Sequence, residues 1–388
     1  MSTVHHWPAQ QRVISGAPAA QALVQELARS PAARVFVTTT RSLTDGPLVA
    51  ACIEALGEAY AGRFDAISAH SPRTAVIEGA ASIRAAGADR VLAIGGGSVI
   101  DATKVMLQCL WYGIDSVDAL DSIVGGRHAA GAGSSDWDRD PQRLRMIAIP
   151  TTLSAAEFSH VAGVTDTRSG VKQAYMHPLA VPVAVILDPA ATLATPMELL
   201  LSTGVRSIDH SVERWCAKQS TPLSDALSRQ AMNMLARALP EMRDDPTDLS
   251  ARASAQQAMW LSMLPQGTGI PFGASHGIGY ILGGAYGVPH GITSCLMLPS
   301  VLEWNASENA PRQGAVADAF GAGGSAAGPA LRAFVRGLGL AWRLRDVGIA
   351  QTQLDEIAAR YDGSGPIATN PRPVRGAADV REILELAW

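Results

Sequence analysis

The sequence predicts an α/β domain built on a parallel sheet, followed by an all-α domain. In the first half, short runs rich in β-branched residues alternate with alanine-rich stretches of helical spacing, which is typical of strands joined by covering helices. After Pro189 strand signals nearly vanish, and long stretches rich in Leu and Ala repeat with a helical period. We therefore place a domain boundary at residue 189, giving domains of 1–189 and 190–388.

The individual elements follow from the same patterns. Strands are predicted at 34–40, 63–68, 90–94, 146–149 and 183–187, and helices at 47–60, 74–86 and 98–108. A stretch rich in Gly, Ser and Asp, 125–140, is predicted to be a loop. In the second domain, helices are predicted at 197–216, 222–238, 249–263 and 377–387.

Composition excludes several classes of function. The 388 residues are 47% hydrophobic and 17% charged, which is enough apolar material for two cores. A net charge of -4 without any basic block argues against nucleic acid or an anionic membrane surface as a partner. We find no membrane-spanning apolar stretch, no signal peptide and no CxxC pair among the four cysteines. We therefore expect a cytoplasmic protein that acts on a small molecule.

A glycine turn joins a predicted strand to a predicted helix. The apolar residues 91–94 are followed by Gly95-Gly96-Gly97-Ser98, and the helix then carries Asp101 and Lys104. Glycines let the backbone approach a diphosphate, and the helix N-terminus adds free N–H groups and a favourable dipole. The pattern is not GxGxxG, and a turn formed for packing is the alternative, but the strand and helix around it predict phosphate binding.

These and later motifs resemble the iron-containing alcohol dehydrogenase family, in pattern its maleylacetate reductase branch. GGGSVIDATK (95–104) is similar to the family's GGGSxxDxxK, and IPTTLSAAEF (149–158) to its PTTxxxGSE. Four further blocks follow in order: LDPAATLATP (187–196), STGVRSIDHSVE (202–213), SHGIGYILGGAYGVPHG (275–291) and NPRPVRG (370–376). The resemblance implies an NAD(P)-dependent oxidoreductase with a dinucleotide-binding α/β domain, a helical domain and an active-site cleft between them. It also implies a homodimer.

The resemblance also implies which residues bind the cofactor, NAD(H) or NADP(H). The pyrophosphate would lie on the glycine turn, the adenosine on 151–153, and the nicotinamide end near Asp101. Many family members have an Asp after the first strand that binds a ribose 2′-OH, whereas this chain reads TTTR at 38–41. Because Thr and Arg would not repel a 2′-phosphate, both cofactors are admitted. The full predicted set is Gly95, Gly96, Gly97, Ser98, Asp101, Thr151, Thr152, Leu153, Lys172 and Thr40.

The histidines at the family's metal positions lack one partner. Metal-using members hold their ion with an Asp, a His four residues later and two downstream histidines. The histidines match His210, His276 and His290, but Arg206 replaces the Asp. A guanidinium cannot ligate a cation, and Asp209 lies about 100° from His210 around an ideal helix. We therefore predict no metal, with iron or zinc held by the three histidines as the alternative.

A second replacement puts Tyr280 where the family has another histidine near the substrate. Negative charge develops on oxygen during hydride transfer, and Arg206 can stabilise it or bind a carboxylate with paired hydrogen bonds. Tyr280 or a histidine can deliver the proton. The alternatives are a helix-surface salt bridge of Arg206 with Asp209 or Glu213, and a Tyr280 packed in the core. The predicted catalytic residues are Arg206, His210, His276, Tyr280 and His290.

The leading hypothesis is a metal-independent NAD(P)H-dependent reductase of a small oxo-acid or other carbonyl compound. Three alternatives stay open. The first is a metal-dependent (Fe/Zn) alcohol dehydrogenase. The second is a dehydroquinate synthase-like lyase with a recycled nicotinamide, against which Arg206 counts because such enzymes need a metal. The third is a catalytically inactive dinucleotide-binding protein, against which the three histidines count.

Overall fold

The predicted parallel sheet is present in a computed structural model, which describes residues 9–69, 71–127, 143–324 and 326–388. The chain divides into two units, the first ending at Thr195 and the second beginning at Pro196. Each unit has its own apolar core. Among the described residues, no helix combines the length and the apolar character that crossing a bilayer requires.

The first unit contains a six-stranded parallel sheet and a separate antiparallel hairpin. The sheet has the order β1-β8-β5-β4-β2-β3, and all five of its strand pairs are parallel. The hairpin pairs β6 with β7. The strands are β1 (Arg12–Ser15), β2 (Val35–Thr38), β3 (Tyr60–Phe64), β4 (Arg90–Gly95), β5 (Arg145–Pro150), β6 (Val161–Asp166), β7 (Val171–Met176) and β8 (Ala184–Leu187).

Helices cover both faces of this sheet, which is why its central strands are continuously apolar. On β4, Val91 and Ala93 pack into one core, and Leu92 and Ile94 into the other. The first core is shared with α3 (Arg73–Ala85) and α4 (Gly97–Tyr112), and the second with α1 (Ala19–Arg29) and α2 (Pro47–Leu56). Because successive side chains of a strand point to opposite faces, β4 contributes apolar side chains to both cores.

Several element boundaries in this unit differ from the prediction, and a glycine accounts for two of the differences. The strand predicted at 63–68 was wrong in position, because β3 begins at Tyr60 and ends at Phe64. Gly62 weakens the strand signal of its first half, and it pairs with Phe36 next to a register shift. The helix predicted at 47–60 ends at Leu56, because Gly57 adopts a φ of 52° that terminates it. Most of the loop predicted at 125–140 lies outside the described residues.

The second unit is helical, as the sequence predicts. Its core joins α8, α9, α11 and α13, whose buried faces carry the helical period. The long helix α9 is interrupted at Asn309, which has a φ of -136°. The helices are α5 (Met197–Cys216), α6 (Pro222–Asp244), α7 (Leu249–Met263), α8 (Ala274–Tyr286), α9 (His290–Ala319), α10 (Ala327–Gly337), α11 (Leu354–Ala359), α12 (Gly365–Ala368) and α13 (Ala377–Ala387).

Candidate active site

The glycine turn connects β4 to α4, and close packing explains its glycines. A Cβ on Gly96 would lie 2.8 Å from Thr152 Cγ2, and one on Gly97 would lie 2.9 Å from Ser154 Oγ. The Thr151 amide donates to the Gly95 carbonyl at 3.1 Å, while Thr151 and Leu153 are buried. The structure therefore brings together the predicted pyrophosphate residues and the predicted 151–153 segment. The free N–H groups at the start of α4 suit an anion.

Asp101 forms an ion pair on α4 with the buried Lys104. Its Oδ1 accepts from Lys104 Nζ at 3.2 Å, and its Oδ2 accepts from the Gly163 amide at 3.0 Å. Lys104 Nζ also donates to the carbonyls of Ala156 and Val161, so its three hydrogens have three acceptors. This arrangement fastens α4 to the hairpin. A positioning role for Asp101 is therefore the one its contacts favour.

Lys172 and Thr40, the other predicted cofactor residues, lie on different parts of the first unit. The Lys172 side chain on β7 crosses Gly163, where any Cβ would collide with it. It therefore lies beside the amide that binds Asp101. Thr40 follows β2, and its hydroxyl is 2.9 Å from that of Ser42 in a cavity at the ends of β2 and β3.

Glu157 is a buried carboxyl group that the sequence did not single out. It belongs to the 149–158 block and follows Ala156, whose Cβ faces the glycine turn. Its side chain is fully buried, and neither oxygen has a hydrogen-bond partner among the described residues. Burial raises the pKa of Glu157 to about 8, against an opposing effect of the Lys104 charge. It is thus a neutral acid at pH 7.

All five predicted catalytic side chains lie close together in the second unit. Arg206 and His210 are four residues apart on α5, His276 and Tyr280 four apart on α8, and His290 begins α9. The rings of His210 and His276 are 5.2 Å apart, and Tyr280 meets His276 and His290 edge-on at 6.3 and 6.0 Å. Tyr280 is 43% exposed, which does not favour the packed-core alternative.

Arg206 belongs to a buried polar network. Its Nη1 donates to Ser294 Oγ at 3.0 Å and lies 3.7 Å from Asp209 Oδ2, and its Cζ lies 5.7 Å from the Tyr280 ring centre. Asp209 Oδ2 accepts from Ser294 Oγ at 2.6 Å and from Ser275 Oγ at 2.9 Å. A salt bridge between Arg206 and Asp209 on the helix surface was the alternative left open by the sequence. The two residues do pair, but they lie in the interior of the unit.

Glu213 orients His276, and this contact was not predicted from the sequence. Its Oε2 is 2.7 Å from His276 Nδ1 and accepts from the Gly273 amide at 2.8 Å, while its Oε1 accepts from the Ser275 amide at 2.8 Å. A carboxylate at Nδ1 fixes the tautomer that carries hydrogen there and leaves Nε2 as an acceptor. The spacing of Arg206, His210 and Glu213 on one face of α5 was the available signal.

The imidazoles of His210 and His276 are neutral at pH 7. Burial lowers the pKa of His276 to about 3, helped by the Arg206 charge and opposed by Glu213. Burial also lowers the pKa of His210, with further effects from His276 and Arg206. His276 Nε2 and His210 Nδ1 are buried with no hydrogen-bond partner in the described part of the chain. Both nitrogens are therefore suited to accept a hydrogen bond from a ligand.

The NPRPVRG block (370–376) supports this cluster. Asn370 Oδ1 accepts from the Ala274 amide at 3.3 Å, and its side chain exchanges two hydrogen bonds with Asn305. The guanidinium of Arg372 covers the Trp304 ring at 3.8 Å. The block thus holds the first residue of α8, two positions before His276.

The acidic residues around His276 fit a metal ion poorly. Asp209, Glu213 and His276 do offer ligand atoms within 4.8 Å of one another. However, Glu213 already accepts two amide hydrogen bonds, and His276 Nδ1 is directed at it. The guanidinium of Arg206 beside Asp209 also opposes a second cation.

Comparisons with known proteins agree with this fold. The Iron-containing alcohol dehydrogenase family model matches residues 10–189, and its C-terminal counterpart, Fe-containing alcohol dehydrogenase family, C-terminal, matches 200–388. The chain is 30% identical over 390 residues to Dehydrogenase FUM7 of Gibberella moniliformis, covering 92% of this chain and 90% of that protein. It is 30% identical over 333 residues to Maleylacetate reductase 2 of Cupriavidus pinatubonensis, covering 86% and 82%.

A solved structure is similar over the whole chain. Maleylacetate reductase from Rhizobium sp. strain MTP-10005 matches with a TM-score of 0.81 and 25% identity, covering 100% of this chain and 98% of that chain. The chain therefore belongs to the iron-containing alcohol dehydrogenase family and is an NAD(P)-dependent oxidoreductase. Within that family, these similarities support the maleylacetate reductase branch, as the sequence motifs predicted.

Proposed function

We propose that the protein reduces a small oxo-acid or related carbonyl compound with NAD(P)H and without a metal. The observation that carries the proposal is the buried Arg206, which lies beside Tyr280 and Asp209. By the family resemblance it stands where metal-using members have a metal-binding carboxylate. An arginine attracts anions and opposes cations. Several relatives that align over most of the chain are named maleylacetate reductases, which suits an acidic substrate.

The proposed role of Arg206 is to bind the substrate carboxylate. Its contacts with other described residues use Nη1, so its remaining N–H groups are available to a ligand. A guanidinium binds a carboxylate with two parallel hydrogen bonds, which fixes the orientation of the neighbouring carbonyl. Asp209 and Ser294 hold the guanidinium in place.

The proposed proton donor is Tyr280. When bound, the nicotinamide supplies a hydride to the carbonyl carbon. The Tyr280 hydroxyl gives its proton to the carbonyl oxygen, which becomes the alcohol, and the phenolate regains a proton from solvent. Arg206 lies over the tyrosine ring and stabilises the phenolate. His276 Nε2, held by Glu213, accepts a hydrogen bond from the new hydroxyl group.

The test is the loss of absorbance at 340 nm with NADH and NADPH against a panel of 2-oxo acids and aldehydes. We expect turnover of oxo-acids that persists after chelation. Activity that disappears on chelation and returns with iron or zinc would defeat the metal-free proposal. Turnover of aldehydes without any turnover of oxo-acids would defeat the proposed substrate class.

A metal-dependent alcohol dehydrogenase is the second candidate. It is favoured by the proximity of Asp209, Glu213 and His276 and by the unpartnered Nε2 of His276. In that case the histidines would hold iron or zinc, which would act as a Lewis acid on the substrate oxygen.

We also retain the homodimer and the cytoplasmic location as predictions.

A further inference from the structure

A cavity in the first unit opens at the carboxyl ends of β2 and β3. It has a volume of about 420 Å³. Thr40, Arg41 and Ser42 line it from the loop after β2, and residues 65–69 line it from the loop after β3. A bridge between Thr40 and Ala66 holds the two loops together. The sequence pointed to the first loop alone, because strand 63–68 was predicted to continue through the second.

The cavity lies next to the glycine turn in the order of the sheet. β2 is hydrogen-bonded to β4 on one side and to β3 on the other, and the glycine turn follows β4. Neighbouring strands are about 4.8 Å apart. Nucleotides bind outside the carboxyl ends of parallel strands, so a dinucleotide whose pyrophosphate lies at the turn can extend along this edge of the sheet. We place its adenosine ribose in this cavity, and not beside residues 151–153, which follow β5 on the opposite side of β4 and where the resemblance placed the adenosine.

Asp65 brings a carboxylate into this cavity. Its nearest cation is Arg63, whose Nε is 4.0 Å from Asp65 Oδ2, and Arg63 is also 3.5 Å from Asp45. Neither oxygen of Asp65 accepts a hydrogen bond from another residue that the structure describes. By contrast, the hydroxyls of Thr40 and Ser42 are paired with each other. The carboxylate that is absent from positions 38–41 is thus present on the neighbouring loop.

The only other charged group lining the described cavity is Arg41, which is exposed. It makes no ion pair with any described residue, and an exposed charge is strongly screened by solvent. The Asp65 side chain is about one-third exposed, and it is therefore the less screened of the two charges.

We propose that Asp65 selects NAD(H) over NADP(H). Its carboxylate accepts hydrogen bonds from the ribose 2′- and 3′-hydroxyls, and it repels a 2′-phosphate. The proposal narrows the two cofactors admitted by the sequence to one. The selection of NAD(H) by Asp65 does not depend on the substrate or on a metal. It can therefore be correct or wrong independently of the proposed function.

Binding of NADH and NADPH to the intact protein, followed without substrate by cofactor fluorescence, tests the proposal. We expect the wild type to bind NADH about tenfold more tightly than NADPH. In Asp65→Asn, which keeps the size and removes the charge, we expect NADPH to bind about tenfold more tightly than before and NADH several-fold more weakly. Asp65→Ser is a second variant with the same expected direction, and an unchanged unfolding temperature verifies that both are folded.

Asp45→Asn is the matched control. It removes a carboxylate from the same Arg63 but does not line the cavity, so the NADH-to-NADPH ratio is expected to stay that of the wild type. An unchanged ratio in both Asp65 variants would overturn the proposal. A wild type that prefers NADPH, or an equal shift in Asp45→Asn, would overturn it as well.

Discussion

Arg206 combines a buried position with a charge that is only partly compensated. Asp209 is the sole carboxylate within ion-pair distance of it among the described residues, and burial raises the pKa of Asp209 to about 6, although Arg206 and the two serines oppose this. The pair is therefore held in the interior by its hydrogen bonds with Ser294 and Ser275. A substrate carboxylate would complete the neutralisation of the guanidinium.

Substitution of Arg206 tests this role. For Arg206→Lys we expect kcat/KM on oxo-acids to fall about 10- to 100-fold, because an ammonium cannot form paired hydrogen bonds with a carboxylate. Aldehydes that lack a carboxylate should be affected much less. Steady-state kinetics on both substrate classes measure the difference, with the exposed Arg229→Gln as a control. An equal loss on both classes would contradict carboxylate recognition.

Glu157 is predicted to make stability depend on pH. Its pKa is about 8 in the folded protein and lies near 4.5 in an unfolded chain. The folded state therefore binds more protons between these values, and stability falls as the pH rises from about 4.5 through 8. Glu157→Gln removes this loss, so the variant should gain on the order of 3–5 kcal/mol relative to wild type between pH 5 and 8.5.

Urea unfolding at both pH values measures that difference. The exposed Glu54→Gln on α2 is the control and should keep the pH dependence of the wild type. A Glu157→Gln variant that follows the wild-type curve would show that Glu157 ionises normally in the folded protein.

At the scale of elements, Glu213 joins α5 to the start of α8. Its carboxylate accepts hydrogen bonds from the amides of Gly273 and Ser275, whose hydrogens have no partner within the helix. It also holds His276 through Nδ1. A Cβ on Gly273 would lie 2.9 Å from Glu213 Oε1, which explains the glycine. The same carboxylate thus determines where α8 begins and which nitrogen of His276 is left as an acceptor.

Glu213→Gln is expected to lower kcat about 10- to 100-fold and to reduce stability by about 1–3 kcal/mol. The amide can donate to His276 Nδ1 and so favour the opposite tautomer. Nitrogen-15 NMR of the histidines reports the tautomer, and Glu213→Asp should retain that of the wild type. Glu303→Gln, which breaks an ion pair with Arg332 in the same unit, is the control. An unchanged His276 tautomer in Glu213→Gln would contradict the assignment.

The glycine turn depends on its contact with the loop after β5. Gly96→Ala should weaken cofactor binding at least about tenfold, because the new methyl group collides with Thr152 Cγ2 and displaces the turn. Thr152→Ser removes that methyl group and should recover part of the loss in the double variant. Calorimetric titration with NADH measures both. Gly314→Ala on α9, where a Cβ meets no atom within 4 Å, should bind cofactor like the wild type.

The elements that sequence patterns did not predict have weak or interrupted apolar patterns. β1 is only four residues long and is half-buried at the sheet edge, where it pairs with β8, so its apolar signal is weak. The β6–β7 hairpin alternates its buried residues against α4, but Gly163 and Lys172 interrupt the pattern. Its stabilising contact with Asp101 and Lys104 is long-range in sequence.

At the scale of the whole molecule, the order of the motifs predicted the two-part architecture. The buried central strands and the long helices were also predictable, because each carries its own periodicity. For the site, the resemblance identified Arg206, His210, His276, Tyr280 and His290, which do lie together. Glu213, Ser275 and Ser294 could not be assigned, because their roles follow from the packing of α5, α8 and α9.

The unfolding temperature of the intact protein is expected to be insensitive to metal chelation. A ligand that binds only the folded state raises stability in proportion to its occupancy. Because the carboxylates that could hold an ion are already hydrogen-bonded, neither a chelator nor added zinc should shift the transition. Scanning calorimetry with and without chelator checks this, and a clear downward shift on chelation would contradict it.

The separation of the predicted cofactor residues from the predicted catalytic residues along the chain affects how such an enzyme can evolve. The predicted cofactor residues all precede Thr195, and the predicted catalytic residues all follow Pro196. On these assignments, mutations that alter coenzyme preference and mutations that alter the reaction are expected in separate halves of the gene. A single recombination event near codon 195 could exchange one property while the other is inherited intact.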